Sequence, residues 1–246
     1  MSQLDTLMAA VCAAPDDMAP RRAYAAAVKP SDPDRAKLID LQLAIREARR
    51  RGEDPGTAEA SELIRKHGTA WAGTLARQTD YVGFWGGFVE EIEVSAMKLL
   101  ASHGPFARLA PLRNFRIRDL RGHVGEVAAL PILAQARTLD VQSCRLGDVD
   151  LAELVRSPRL RGVRILRVGN NPQITIDGLR MIARADLPEL RFVETQLTDA
   201  PLIDVTTDWT GAVQSIDYTG VRDALVAEFG HLKWLDAGRE PSHDVI

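Results

Sequence analysis

From about residue 88 onward, two apolar residues separated by one position return along the chain: Ile92 and Val94, Phe115 and Ile117, Leu139 and Val141, Leu166 and Val168, Leu190 and Phe192. Successive first members lie 23, 24, 27 and 24 residues apart. Alternation over so short a span predicts brief strands with one face buried. Between them, DVDLAELVRSPRL and TIDGLRMIARADL carry apolar residues at helical spacing, each with an Asp near its start. These predict helices, with Asp150 and Asp177 as N-caps. Before about residue 80 the alternation is missing. Leu4, Leu7, Met8 and Val11, then Ala23, Ala26 and Ala27, then Leu38, Leu41, Ile45 and Ala48 follow helical spacing instead, and predict three or four helices.

The strand interval falls in the range of about 20 to 29 residues that marks leucine-rich repeats. The unit LAQARTLDVQSCRL fills every slot of the LxxLxxLxLxxN/CxL template with Leu133, Ala136, Leu139, Val141, Cys144 and Leu146. The next supplies Leu160, Val163, Leu166, Val168 and Asn171, and a later one is read as Leu187, Leu190, Phe192, Thr195 and Leu197. An Asn or Cys at that slot ends the strand, where backbone groups of adjacent coils need partners, so Cys144 reads as part of a ladder and not as a nucleophile. The expected fold is α/β: a short solenoid with parallel strands on its concave face and helices on its convex face, behind an N-terminal helical cap. Expected boundaries are 1–83 for the helical domain, 84–200 for the repeats and 201–246 for a C-terminal cap.

At 246 residues with 46% apolar and 26% charged content, the chain has ordinary globular usage and no apolar run long enough for a membrane helix. Asp5 stands where a secretory leader would want a basic residue, so a cytoplasmic location is expected. Cys12 and Cys144 make no disulfide framework. A net charge of -3 disfavours a general grip on polyanions, so nucleic acid is not the expected partner.

The first third also has a familiar order: AVCAAPDDMAPRRAYA, LIDLQLAIREA, ELIRKHGTAWAGTL, then FWGGFVEEIEVS. It resembles the bacterial repeat-companion domain, a short helical module commonly followed by leucine-rich repeats. Pro15, Asp16, Asp17, Pro20, Arg21, Tyr24, Leu41, Gln42, Trp71, Gly87, Phe88 and Val89 carry the likeness over residues 4–95, whereas AAAVKPSDPDR after Tyr24 departs from it. The resemblance implies the architecture and no catalytic residue.

Candidate chemistry is sparse. The five histidines are scattered without metal-ligand spacing, so no metal or other cofactor is expected, and no nucleophile motif occurs. Glycines in YVGFWGGF are expected to turn the chain from the helical module into the first strand, with Phe84, Trp85 and Phe88 covering the solenoid end. Trp209 and VRDALVAEFGHLKWLD are expected to cover the other end. The concave face remains, where Glu93, Arg116, Arg118, Asp140, Gln142, Arg167 and Arg191 flank the apolar pairs. Mixed charge suits a complementary protein surface; a ladder of mutually paired charges is the alternative. Five strands at about 4.8 Å spacing make a narrow strip, so a footprint of about 800 Å² has to extend beyond them. The expected function is non-enzymatic binding of a protein partner. An immunity or antitoxin-like role against one bacterial effector is a narrower version. The competing class is an enzyme or nucleotide-binding regulator built on Asp16, Asp17, Arg21 and Tyr24.

Overall fold

The computed structural model describes residues 2–195, 205–207, 213–215 and 219–235. The protein is mixed α/β and divides into two compact units, the first ending at Ile117 and the second beginning at Arg118. The expected boundary at 83/84 lies inside the first unit.

The first unit opens with α1 (Gln3–Ala13), α2 (Met18–Val28), α3 (Pro33–Arg50), α4 (Ala58–Ala72) and the short α5 (Thr74–Gln78). Their starts follow from local side chains. Ser2 and Asp5 form a reciprocal capping box on α1, Asp17 accepts from the Ala19 amide at 2.9 Å, and Asp32 caps α3 ahead of Pro33. Val11, Ala25, Val28, Ile39 and Leu43 meet Phe88 in the core, with Leu4, Met8 and Tyr24 packed against it.

Strands β1 (Tyr81–Trp85) and β2 (Phe88–Ser95) form an antiparallel hairpin, followed by α6 (Ala96–Leu109) and β3 (Asn114–Arg118). This hairpin departs from the sequence expectation, in which YVGFWGGF leads by a glycine turn into a single strand. Gly86 and Gly87 are the two residues between the strands, with φ of 54° and 83°. Two successive positive φ values suit the twist of a two-residue hairpin loop. Phe84 and Phe88 are buried and Trp85 is half-buried; Phe88 packs among the helices of this unit, a different neighbour from the expected solenoid end.

The second unit continues with α7 (Val124–Ala128), β4 (Thr138–Asp140), α8 (Asp148–Val155), β5 (Ile165–Arg167), α9 (Ile176–Arg184) and β6 (Phe192–Glu194). Strand β5 pairs in parallel with β4 on one side and β6 on the other. The alternation placed β4 and β5 at Leu139 and Leu166, as expected. Helix starts differ in detail from expectation. Asp150 sits inside α8, accepting from the Gly147 amide at 2.9 Å, and Thr175, not Asp177, caps α9.

Register moves the last apolar pair. Leu139 faces Leu166, and Leu166 faces Val193, so both steps are 27 residues. The apolar series is then Leu133, Leu160, Leu187; Ala136, Val163, Leu190; Leu139, Leu166, Val193; and Val141, Val168, Thr195, all buried. Leu190 thus precedes the strand, and Phe192 is only half-buried. Thr195 holds the slot that its polarity had disguised.

Two further strands, β7 (Val205–Thr207) and β8 (Val213–Ser215), pair antiparallel, and α10 (Thr219–Phe229) packs on α9. Glu228 of α10 meets Arg180 at 2.7 Å and Arg184 at 2.6 Å, and Leu225 is buried. A covering role expected for Trp209 lies outside the described residues, as do Leu197 and His243.

Candidate functional site

Turns after the strands repeat a backbone conformation that composition does not advertise. Asp119, Ser143 and Asn170 have φ of 54°, 58° and 54°. Each stands two residues after the second apolar member of its pair, Ile117, Val141 or Val168. Among residues other than glycine, Asn and Asp tolerate this left-handed region best.

One residue later than the last of these, Asn171 is buried and bonds in both directions. Its Oδ1 accepts from the Leu146 amide at 3.0 Å. Its Nδ2 donates to the carbonyls of Val141 at 3.0 Å and Val168 at 2.8 Å. Asn171 therefore joins two successive turns. Cys144, 27 residues earlier, is buried, and burial pushes its thiol up. Burial likewise drives Cys12 up to about 11, away from the thiolate that nucleophilic work requires.

On the strand positions between the buried pairs of the second unit, Asp140, Arg167 and Glu194 stand in register. The Arg167 guanidinium lies 3.7 Å from Asp140 and 3.3 Å from Glu194. Gln142 donates to Glu194, and Asp140 also accepts from the Gln142 amide at 3.0 Å. Arg191, expected in this row, is replaced there by Glu194. It belongs instead to a second row, Arg137, Arg164 and Arg191, again 27 residues apart. In that row Arg164 and Arg191 reach Glu189 at 3.6 and 3.7 Å. Arg116 and Glu93 approach at 3.5 Å in the first unit, and along β3 exposed Arg116 and Arg118 alternate with buried Phe115 and Ile117. The charges are mixed in sign and substantially paired among themselves.

The residues behind the competing reading do not converge on an open site. Asp17 is a helix cap. Asp16 makes a two-pronged pair with Arg113 at 2.9 and 3.2 Å. Arg21 is fully buried, donates to the carbonyls of Pro15, Trp85 and Gly86, and meets Glu90 at 2.6 Å. Tyr24 packs edge-on to Phe88 with ring centres 5.1 Å apart. Gln42 clamps the hairpin, donating to the Phe84 carbonyl at 2.9 Å and accepting from the Gly87 amide at 2.7 Å.

Sequence reasoning missed two buried ionic features. Glu90 is buried near Arg21, Arg46 and Arg113; burial raises its pKa against the pull of those three cations. Arg35 lies over the rings of Trp71, Phe84 and Phe88 at 5.0 to 5.5 Å, and burial lowers its pKa to about 10. A buried charge is not written in helical periodicity, and no local motif announces either one.

Among the described residues no group of three or more His, Cys, Asp or Glu side chains could hold a metal ion. None of the described helices is long and apolar enough to cross a membrane. No protein-family model, no curated protein and no solved structure matches the chain.

Proposed function

We propose that the chain is a non-enzymatic binding protein: a repeat-companion-like helical module followed by leucine-rich repeats whose strand face recognises a protein partner. The observation that carries this reading is the register row Asp140, Arg167 and Glu194, in which alternate charges are fixed by contacts of 3.7 and 3.3 Å. Charges already held in place lose little further freedom on binding, and their alternation selects a partner of complementary pattern. A uniform polyanion would be repelled by the two carboxylates. The 27-residue recurrence of buried residues and the Asn171 bridge between turns support the repeat reading. The use of Asp16, Asp17, Arg21 and Tyr24 as cap and core contacts favours binding over catalysis in the helical module.

Arginines at exposed strand-face and strand-entry positions, Arg116, Arg118 and Arg191, supply planar forks for contact beyond the fixed row. The test is an affinity capture from cells that make the protein, comparing the unaltered chain with Arg116→Glu, Arg118→Glu and Arg191→Glu, each checked for retained fold. One protein held by the unaltered chain and lost by these variants is expected. A partner held equally by all four would move recognition elsewhere and overturn the assignment.

A further inference from the structure

A cavity of about 260 Å³ opens in the first unit between α3, the first turns of α4 and the tip of the β1–β2 hairpin. Its apolar wall comes from Ile45 on α3, Ile64 on α4, and Phe84 and Trp85 on β1. Ile45, Ile64 and Trp85 are only half-buried, so apolar surface at a concave place is left for another molecule to cover. The wall is also rigid. Gln42 holds the Phe84 carbonyl and the Gly87 amide at 2.9 and 2.7 Å, which fixes the hairpin tip against α3.

The opposite side is polar and biased in charge. Thr57 and Ser61 expose hydroxyls at the start of α4, and the Thr57 side chain makes no capping bond. Among the described residues that line the cavity, Arg49 is the one charged group. A guanidinium has five N–H donors, enough to keep contacts within the protein and still meet a planar carboxylate. The positive end of α4 adds to the same bias.

We propose that this cavity binds a small monocarboxylate with an apolar tail. The tail lies between Ile45, Ile64, Phe84 and Trp85, while the carboxylate meets Arg49 and accepts from the hydroxyls of Thr57 and Ser61. The volume falls below the range of about 300 to 1,000 Å³ typical of drug-sized ligands, so a nucleotide is too large and a medium-chain or single-ring acid fits. An amine of the same length would meet Arg49 with like charge, and a neutral alcohol would forgo the ion pair.

This site lies within the first unit and is independent of the partner-binding reading above. Isothermal titration of the full chain with octanoate, octylamine and octanol tests it. Saturable binding of octanoate is expected, with octanol at least about tenfold weaker and octylamine silent. Arg49→Met should weaken octanoate at least about tenfold without changing octanol. Ser61→Trp, a change at an exposed rim position, should abolish binding of both while circular dichroism reports an intact fold. The proposal is overturned by no saturable heat with octanoate, by equal affinity for octanoate and octylamine, or by octanoate binding that survives both substitutions.

Discussion

The Arg167 guanidinium sits 3.3 Å from the Glu194 carboxylate on one neighbouring strand and 3.7 Å from Asp140 on the other. Asp140 is buried and Glu194 half-buried, so Arg167 is the cation between two carboxylates that parallel pairing has brought together. Replacing it with Glu would put three carboxylates in a row. Arg167→Glu is expected to lower stability by about 2–4 kcal/mol, against about 1–2 for Arg167→Met, read from urea midpoints. Equal losses in the two variants would show that the row is not electrostatically coupled.

Asn171 makes a second kind of joint, because its one side chain serves an amide and carbonyls from two successive turns. Asn171→Ala strands the Leu146 N–H and the Val141 carbonyl in the interior. A loss of about 2–4 kcal/mol is expected, with faster amide exchange at Leu146. Slow exchange at Leu146 in the variant would mean that another acceptor replaces Oδ1.

The parallel strands of the second unit were legible because their buried side chains are mostly leucine and valine at a near-constant interval. The position of the last strand pair slipped for a physical reason. A polar Thr195 can fill a buried slot once its neighbours supply the apolar surface, while Phe192 resembles a core residue although it lies half outside. Two glycines between apolar runs are a recognised hairpin signal, so the β1–β2 turn could have been read from GlyGly at 86–87. Arg21, Arg35 and Glu90 could not, since only the folded chain brings each to its aromatic or ionic neighbours. The strand-face residues Glu93, Arg116, Asp140 and Arg167 were legible by alternation; their pairing with one another was not.

Gly87 illustrates how tightly the hairpin tip meets α3. A Cβ added there would lie 2.3 Å from Ile39 Cγ1 and 2.6 Å from Ile39 Cα, at a φ of +83°. At Gly52, φ is +80° and a Cβ would meet nothing within 4 Å. Gly52→Ala therefore isolates backbone strain, about 1–2 kcal/mol, whereas Gly87→Ala adds a clash with backbone that no rotamer relieves. The Gly87 variant is expected to lose at least about 2 kcal/mol more than the Gly52 variant in thermal or urea unfolding. Matching losses would show that α3 withdraws from the hairpin at little cost.

Arg21 and Glu90 connect burial to pH. Burial raises the Glu90 pKa above its ordinary 4.5, with Arg21 the nearest of the cations that oppose the rise. A carboxyl whose folded pKa exceeds its unfolded one binds protons more tightly when folded. Its contribution is greatest below the unfolded value and declines as pH rises toward the folded one. Arg21→Met removes the contact at 2.6 Å and should drive that pKa higher, widening the window over which stability falls with rising pH. The loss near neutral pH is expected to reach about 3–5 kcal/mol, the usual result of stranding one member of a buried pair. Adding Glu90→Gln to Arg21→Met removes the titrating group, so the double variant should recover part of the loss and show a flatter pH profile. Urea unfolding of the unaltered chain and these variants from about pH 5 to about pH 8 separates the outcomes. Arg21→Met with the same pH profile as the unaltered chain would mean that Arg46 and Arg113 alone oppose the rise in the Glu90 pKa, and that Arg21 serves the Pro15, Trp85 and Gly86 carbonyls rather than the carboxylate.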